Sequence, residues 1–339
     1  MIVSFTIIIL LFLLVCVKCT NTNYSKLNQP GPSLTISERD LSNALKCSWP
    51  SSNSHYSKNR PVLLVSGMSE NPYDLFGWNW MTFFDEQQWP YCTIRFPNEG
   101  LIDLQLCTEY VVYSIRKMYK YNQKNLINII AHSSGGILVR FGLRFWPDIR
   151  QMIDDLISHG PSNHGTYIAN IACFLPIGCA PAVHQQRVGS NFLDALNSHQ
   201  ETFDSISYTT IMTKTDEIIR PVSSSELHNN YQNDNKSIIN IYLQNICPYN
   251  LYSEHLAIGT YDYCAYQLTL DALQHQGPTN LERIQNCCEQ TLMPVVTSTW
   301  KFLINLLYLM KNNAVTLFVY KPRINYEPQL KCSFTNTCS

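Results

Sequence analysis

The chain has 339 residues, a formal net charge of −1, 45% hydrophobic residues and only 14% charged ones, against roughly 25% charged in an average soluble domain. Such apolarity excludes a disordered chain, and the lack of a basic excess excludes nucleic-acid binding as the main task. Thirteen cysteines are too few for a disulfide-only mini-scaffold and many for a reduced cytosolic enzyme.

The chain opens on a signal-peptide pattern. Residues 5–17 read FTIIILLFLLVCV, the length of an apolar h-region and short for a bilayer span. Val17 and Cys19 suit the −3 and −1 positions, so cleavage is expected after residue 19, giving a secreted, extracellular protein. Eleven cysteines then remain. In an oxidising compartment their default is disulfides, and the odd number requires a free thiol. A zinc site is disfavoured because no pair stands at C-x-x-C spacing. Asn23 and Asn235 each head a glycosylation sequon. Residues 20–60 are polar and turn-rich and read as an N-terminal arm; residues 61–339 read as the folded domain.

Strand and helix patterns then alternate. PVLLVSG (61–67) and YCTIRF (91–96) read as strands, and residues 102–120 as a helix with Cys107, Val111, Ile115 and Met118 on one buried stripe. LINIIA (126–131) is a third strand and residues 134–145 a second helix. Trp146-Pro147 breaks it and opens another. Residues 154–160, 207–213 and 237–243 read as later strands. This alternation predicts a mostly parallel sheet flanked by helices, with its chemistry at the C-terminal strand ends. Residues 295–310 are very apolar but broken by Asn305. They read as a buried or mouth-lining helix rather than a membrane span, and no transmembrane segment is expected after the leader.

The chemistry centres on LINIIAHSSGGILVRFG (126–142). A strand passes directly into a helix through Ala131-His132-Ser133-Ser134-Gly135, a small-x-Ser-x-Gly nucleophile elbow. The tight turn needs small residues two positions before and two after Ser133 and pushes its hydroxyl out at the sheet edge. Ser134 is a poorer nucleophile candidate, because His132 would stand two residues before it. A serine nucleophile needs a base and an acid, in the chain order Ser, Asp/Glu, His. Asp216 follows the strand at 207–213, with Glu217 as competitor. His228, His255 and His275 come later; order and context favour His255. The oxyanion donors would be the amides of Ser134 and Met68, the latter just after Gly67.

These stretches together resemble the Candida antarctica lipase B family, a branch of the α/β-hydrolases. The resemblance runs from about Leu41 to Pro328. It is carried by PVLLVSG (61–67), CTEYVV (107–112), the elbow with GLRFWPDIR (142–150), APAVHQQRVGSNFLDAL (180–196), TDEIIRP (215–221) and SEHLAIG (253–259). It implies an α/β-hydrolase fold with Ser133 as nucleophile, Asp216 as acid, His255 as base, and Met68 and Ser134 as oxyanion donors. It also implies disulfides Cys47–Cys92 and Cys247 with Cys287 or Cys288. The chain departs from the family at several points. Met68 replaces a threonine whose hydroxyl adds an oxyanion hydrogen bond. His132 replaces a tryptophan in the alcohol-side pocket. Ser162 replaces an acidic residue of the acyl pocket, and Tyr326 replaces a cysteine, with Cys332 and Cys338 further on.

The sequence therefore leads to a secreted lipase or carboxylesterase acting on acylglycerols or related lipophilic esters, as a monomer, with no metal or cofactor. Its apolar acyl site would draw on Phe174-Leu175-Pro176-Ile177 and residues 295–310. Two enzymatic alternatives share the same residues: acyl transfer to an alcohol, and hydrolysis of a cutin-like polyester. A hydrolase fold that binds without catalysis is a third.

Overall fold

A computed structural model describes residues 24–49, 59–228 and 237–336. The expected leader, Asn23, Asn235 and Cys338 lie outside them. Seven strands form one sheet in the order β1-β3-β2-β4-β5-β6-β7. They are β1 (Leu45–Ser48), β2 (Val62–Val65), β3 (Tyr91–Ile94), β4 (Ile127–His132), β5 (Ile153–His159), β6 (Ser207–Met212) and β7 (Ile238–Tyr242). Only β1 runs antiparallel to its neighbour; every other pairing is parallel. This is the α/β-hydrolase arrangement.

The apolar strands are continuous because both faces of the sheet are covered. In β2, Leu63 and Val65 face one core, with α4 (Leu104–Tyr121) and α5 (Ser134–Phe145). Val62 and Leu64 face the other, with Trp80, Phe83 and Phe84 of α3 (Trp80–Glu86). Each fully buried aliphatic or aromatic side chain contributes about 2 kcal/mol by leaving water. The α4 stripe of Cys107, Val111, Ile115 and Met118 is buried as its spacing demands, and the Asp103 side chain caps the helix by accepting the Gln105 amide. After Trp146 the chain makes a 3₁₀ turn, Pro147–Met152.

The stretch that reads as a polar arm contributes to the fold. Residues Glu38–Ala44 form α1, and β1 extends the sheet at its edge. Two of its four side chains are exposed, so β1 has no apolar signature, and the Cys47–Cys92 disulfide fastens it to β3. Further disulfides join Cys173–Cys179, Cys247–Cys288 and Cys264–Cys287. Of the two partners left open for Cys247, the structure takes Cys288. Cys332 is disulfide-bonded as well. Among the described residues Cys107 is the free thiol, buried beneath α4.

The apolar segment after residue 295 differs from expectation. Helix α11 (Thr299–Val319) runs through Asn305 without a break. Phe302, Leu306 and Leu309, spaced four and three apart, pack on the core. Trp300, Leu307, Tyr308, Met310 and Phe318 face outward. The helix is therefore mostly exposed rather than buried, and Trp300–Val319 is long and apolar enough to cross a membrane by length and composition. Sequence apolarity reports a dislike of water, not the presence of a protein neighbour. Leu317 and Tyr320, at the end of α11, and Met68 pack against a small third cluster to which Ala169 of α6 (Tyr167–Phe174) belongs. Residues of α6, α11 and the loop that carries Met68 thus share one cluster.

Candidate active site

The elbow forms as its spacing demands. Ser133 joins β4 to α5 with φ 53° and ψ −130°, a left-handed conformation that side chains rarely adopt. Its amide donates to the His159 carbonyl at 2.9 Å. A Cβ on Gly135 would come within 2.5 Å of the Val65 carbonyl oxygen, so glycine lets α5 start against β2. Position 67 is as tight: a Cβ there would stand 2.8 Å from the Ser133 Cβ. This brings the β2 loop onto the serine. The start of α5 turns its free amides and positive dipole end to the same place.

Asp216 lies just past β6 and His255 is the first residue of α9 (His255–Thr260). His255 Nδ1 stands 2.8 Å from Asp216 Oδ2. The other carboxylate oxygen accepts the amides of Ile218 and Ile219 at 2.8 and 2.7 Å. Burial alone would raise the Asp216 pKa, but the His255 charge and these hydrogen bonds pull it below its ordinary value. Burial pulls His255 down, yet the Asp216 carboxylate, with Glu70 and Glu217, pushes it up to about 9. The competing residues lie elsewhere. Glu217 accepts the His255 backbone amide at 3.2 Å, not the ring. The ring of His228 sits by His164, and His275 pairs with Asp271. Glu254 caps α9 by accepting the Leu256 and Ala257 amides and so fixes the start of the helix that carries His255.

The Met68 amide and Ser134 also meet. Met68 N–H donates to Ser134 Oγ at 2.8 Å. Ser69, with φ 62°, turns the loop, and its amide donates to the Glu99 carbonyl at 2.7 Å. The Met68 sulfur accepts from Gln186 Nε2 at 2.9 Å, and Ser162 Oγ donates to Gln186 Oε1 at 2.9 Å. Gln186 and Glu70 were not singled out by sequence reasoning. Gln186 stands beside another glutamine in an unremarkable helical run. Glu70 lies in the loop after Gly67, a position that could have drawn notice.

Two sulfur clusters have metal-like spacing, Cys173–Cys179–His184 and Cys247–Cys287–Cys288. They do not fit a metal. All their sulfurs are held in disulfides, and His184 Nε2 donates to the Ile324 carbonyl.

Residues 59–255 match the model of the family described as Lipase (class 2). The chain belongs to this lipase family. It is 32% identical to "Lipase B" of Pseudozyma antarctica over 192 residues, covering 56% of this chain and 55% of that protein. The chain thus spans about half the length of that curated relative. The crystal structure of Aspergillus fumigatus lipase B overlays with a TM-score of 0.78 at 24% identity, covering 93% of this chain and 78% of that one. The structural likeness concerns the fold.

Proposed function

We propose that this member of the lipase family is a secreted serine lipase that hydrolyses acylglycerols or related lipophilic esters through Ser133, His255 and Asp216. The observation that carries the reading is the buried His255–Asp216 contact of 2.8 Å in a site whose serine stands at φ 53° between β4 and α5. His255 takes the Ser133 proton on Nε2 as Oγ bonds to the ester carbonyl carbon. Asp216 holds the Nδ1–H and favours the charged imidazole. The amides of Met68 and Ser134 receive the oxyanion once the Ser134 hydroxyl rotates off the Met68 amide. The tetrahedral intermediate collapses, and the alcohol leaves with the proton from His255. Water, deprotonated by His255, then attacks the acyl-serine, and the acid and free Ser133 are released. No step calls on a metal or cofactor.

A lipid substrate is supported by the exposed apolar residues of α6 and α11, two helices that share a cluster with Met68, with Phe174 89% and Phe318 75% exposed. Extracellular placement is supported by the disulfides and by the leader pattern.

The test is hydrolysis of p-nitrophenyl esters of short and long chain by the purified protein beside Ser133→Ala. The expected result is activity in the first and loss of several orders of magnitude in the second. Equal rates in both, or none in either, would overturn the reading.

A further inference from the structure

We propose that Glu70 and His132 form a second carboxylate–imidazole pair that positions the base and the oxyanion loop; the proposal rests on Ser133 and His255 being nucleophile and base. His132, immediately before Ser133, is wholly buried, and Glu70 nearly so. Its Nε2 lies 2.9 Å from the His255 carbonyl oxygen. A carbonyl only accepts, so Nε2 carries the hydrogen and donates it. Nδ1 stands 2.8 Å from Glu70 Oε1, a contact that lacks hydrogen-bond geometry and is an ion pair only when the ring carries a second proton. The other Glu70 oxygen accepts the Gly67 amide at 2.6 Å.

One side-chain pair therefore joins three backbones: the loop that presents the Met68 amide, the end of β4 before the nucleophile, and the first residue of α9. The His132 ring lies flush against α9, since a Cβ on Gly259 would come within 2.2 Å of His132 Cδ2. A tryptophan or leucine at position 132 could fill space there. Neither offers one nitrogen to the His255 carbonyl and a second to the Glu70 carboxylate, and a carboxylate buried without a partner is costly.

The pair also acts through charge. The rings of His132 and His255 are 4.8 Å apart. The charged groups around His255 are Asp216 at its ring, Glu217 at its amide, Glu254 at the cap of its own helix, and Glu70 from the oxyanion loop with His132 from β4. Glu70 adds to Asp216 in favouring the protonated base. Removing its charge shifts the ionisation of His255 to lower pH, an effect that packing alone does not produce.

The experiment measures kcat, KM and the pH profile on a soluble short-chain p-nitrophenyl ester for Glu70→Gln, His132→Leu, His132→Gln and Ser133→Ala, with thermal melts of each. His132→Leu is expected to lower kcat about 10–100-fold, the range seen when supporting partners of functional histidines are lost, with KM little changed. His132→Gln, whose amide can still reach the His255 carbonyl, restores most of the loss. Glu70→Gln moves the acid limb of kcat/KM to lower pH. Should His132→Leu fail to fold, Glu70→Gln and His132→Gln carry the test. Wild-type kcat and an unmoved acid limb in the Glu70 and His132 variants, beside an inactive Ser133→Ala, overturn this proposal alone. So does an equal loss at every pH with no recovery in His132→Gln. Activity retained in Ser133→Ala overturns the nucleophile assignment, and this proposal with it.

Discussion

Asp216 and His255 meet at 2.8 Å with both side chains almost wholly out of water. In such a setting the partner's charge outweighs burial, and His255 is pushed up to about 9. As the proposed base, His255 works only when neutral, so kcat/KM should rise with pH and level off above about 9. The stability contribution has the opposite sense. A histidine raised above its unfolded value of about 6.5 adds stability that is complete below that pH and lost as pH rises through about 9. A pH–rate profile on a soluble ester checks the first statement. A plateau already reached at pH 7 would contradict it. Asp216→Asn should lower kcat by about 10⁴-fold through loss of the correct imidazole tautomer.

The Met68 position offers a gain rather than a loss. Its backbone amide is placed beside Ser134, but its side chain is a thioether whose sulfur accepts from Gln186 and which has no proton to offer an oxyanion. Met68→Thr introduces a hydroxyl donor at the loop. One oxyanion donor is worth on the order of 10²-fold in kcat, so the variant should gain about tenfold or more on a short-chain ester. An unchanged kcat would mean that the loop holds the new hydroxyl away from the reacting oxygen.

Gly135 tests the elbow itself. Its missing Cβ leaves room for the Val65 and Ser66 carbonyls, 2.5 and 2.9 Å from where that atom would stand. These are backbone atoms of the neighbouring strand and loop, which cannot rotate aside. Gly135→Ala must push α5 away from β2 and cost about 2 kcal/mol of stability. It should also move the Ser134 amide and lower kcat by at least tenfold, read from a melt and an esterase assay on one preparation. A variant as stable and active as the parent would show that the elbow has slack.

How much of this was legible follows from the range of each interaction. The elbow could be read because its demand is local: small residues two positions before and two after Ser133, following an apolar strand and preceding a helix. Asp216 and His255 could be ranked by chain order, but Glu217 and His275 stayed in play until the fold showed which side chains meet. Strand β1 was silent because its side chains are half exposed and its register comes from pairing and a disulfide with β3. Glu70 and His132 meet across 62 positions of sequence, and no spacing rule links a loop acid to a strand-end histidine. The apolarity of residues 295–310 was plain, yet its orientation was not, because lipid-facing and core-facing helices share one composition.

That last ambiguity yields a prediction about substrate form. A helix docked along one stripe on a water-soluble domain normally carries polar residues on its other faces. Helix α11 instead presents Leu307, Tyr308 and Phe318 outward, and α6 presents Ile171 and Phe174. Charges placed there touch no core residue, so Leu307→Glu with Phe318→Glu should leave the melting temperature and the rate on a soluble short-chain ester within about twofold of the parent. The same pair should weaken adsorption to an oil surface, because each buried apolar side chain replaced by a carboxylate forfeits about 2 kcal/mol of transfer and adds a desolvation cost. The rate on an emulsified long-chain triacylglycerol should fall tenfold or more at limiting enzyme. Equal losses on both substrates would point to a damaged fold. Equal retention on both would mean that the outward face of α11 does not meet the substrate phase.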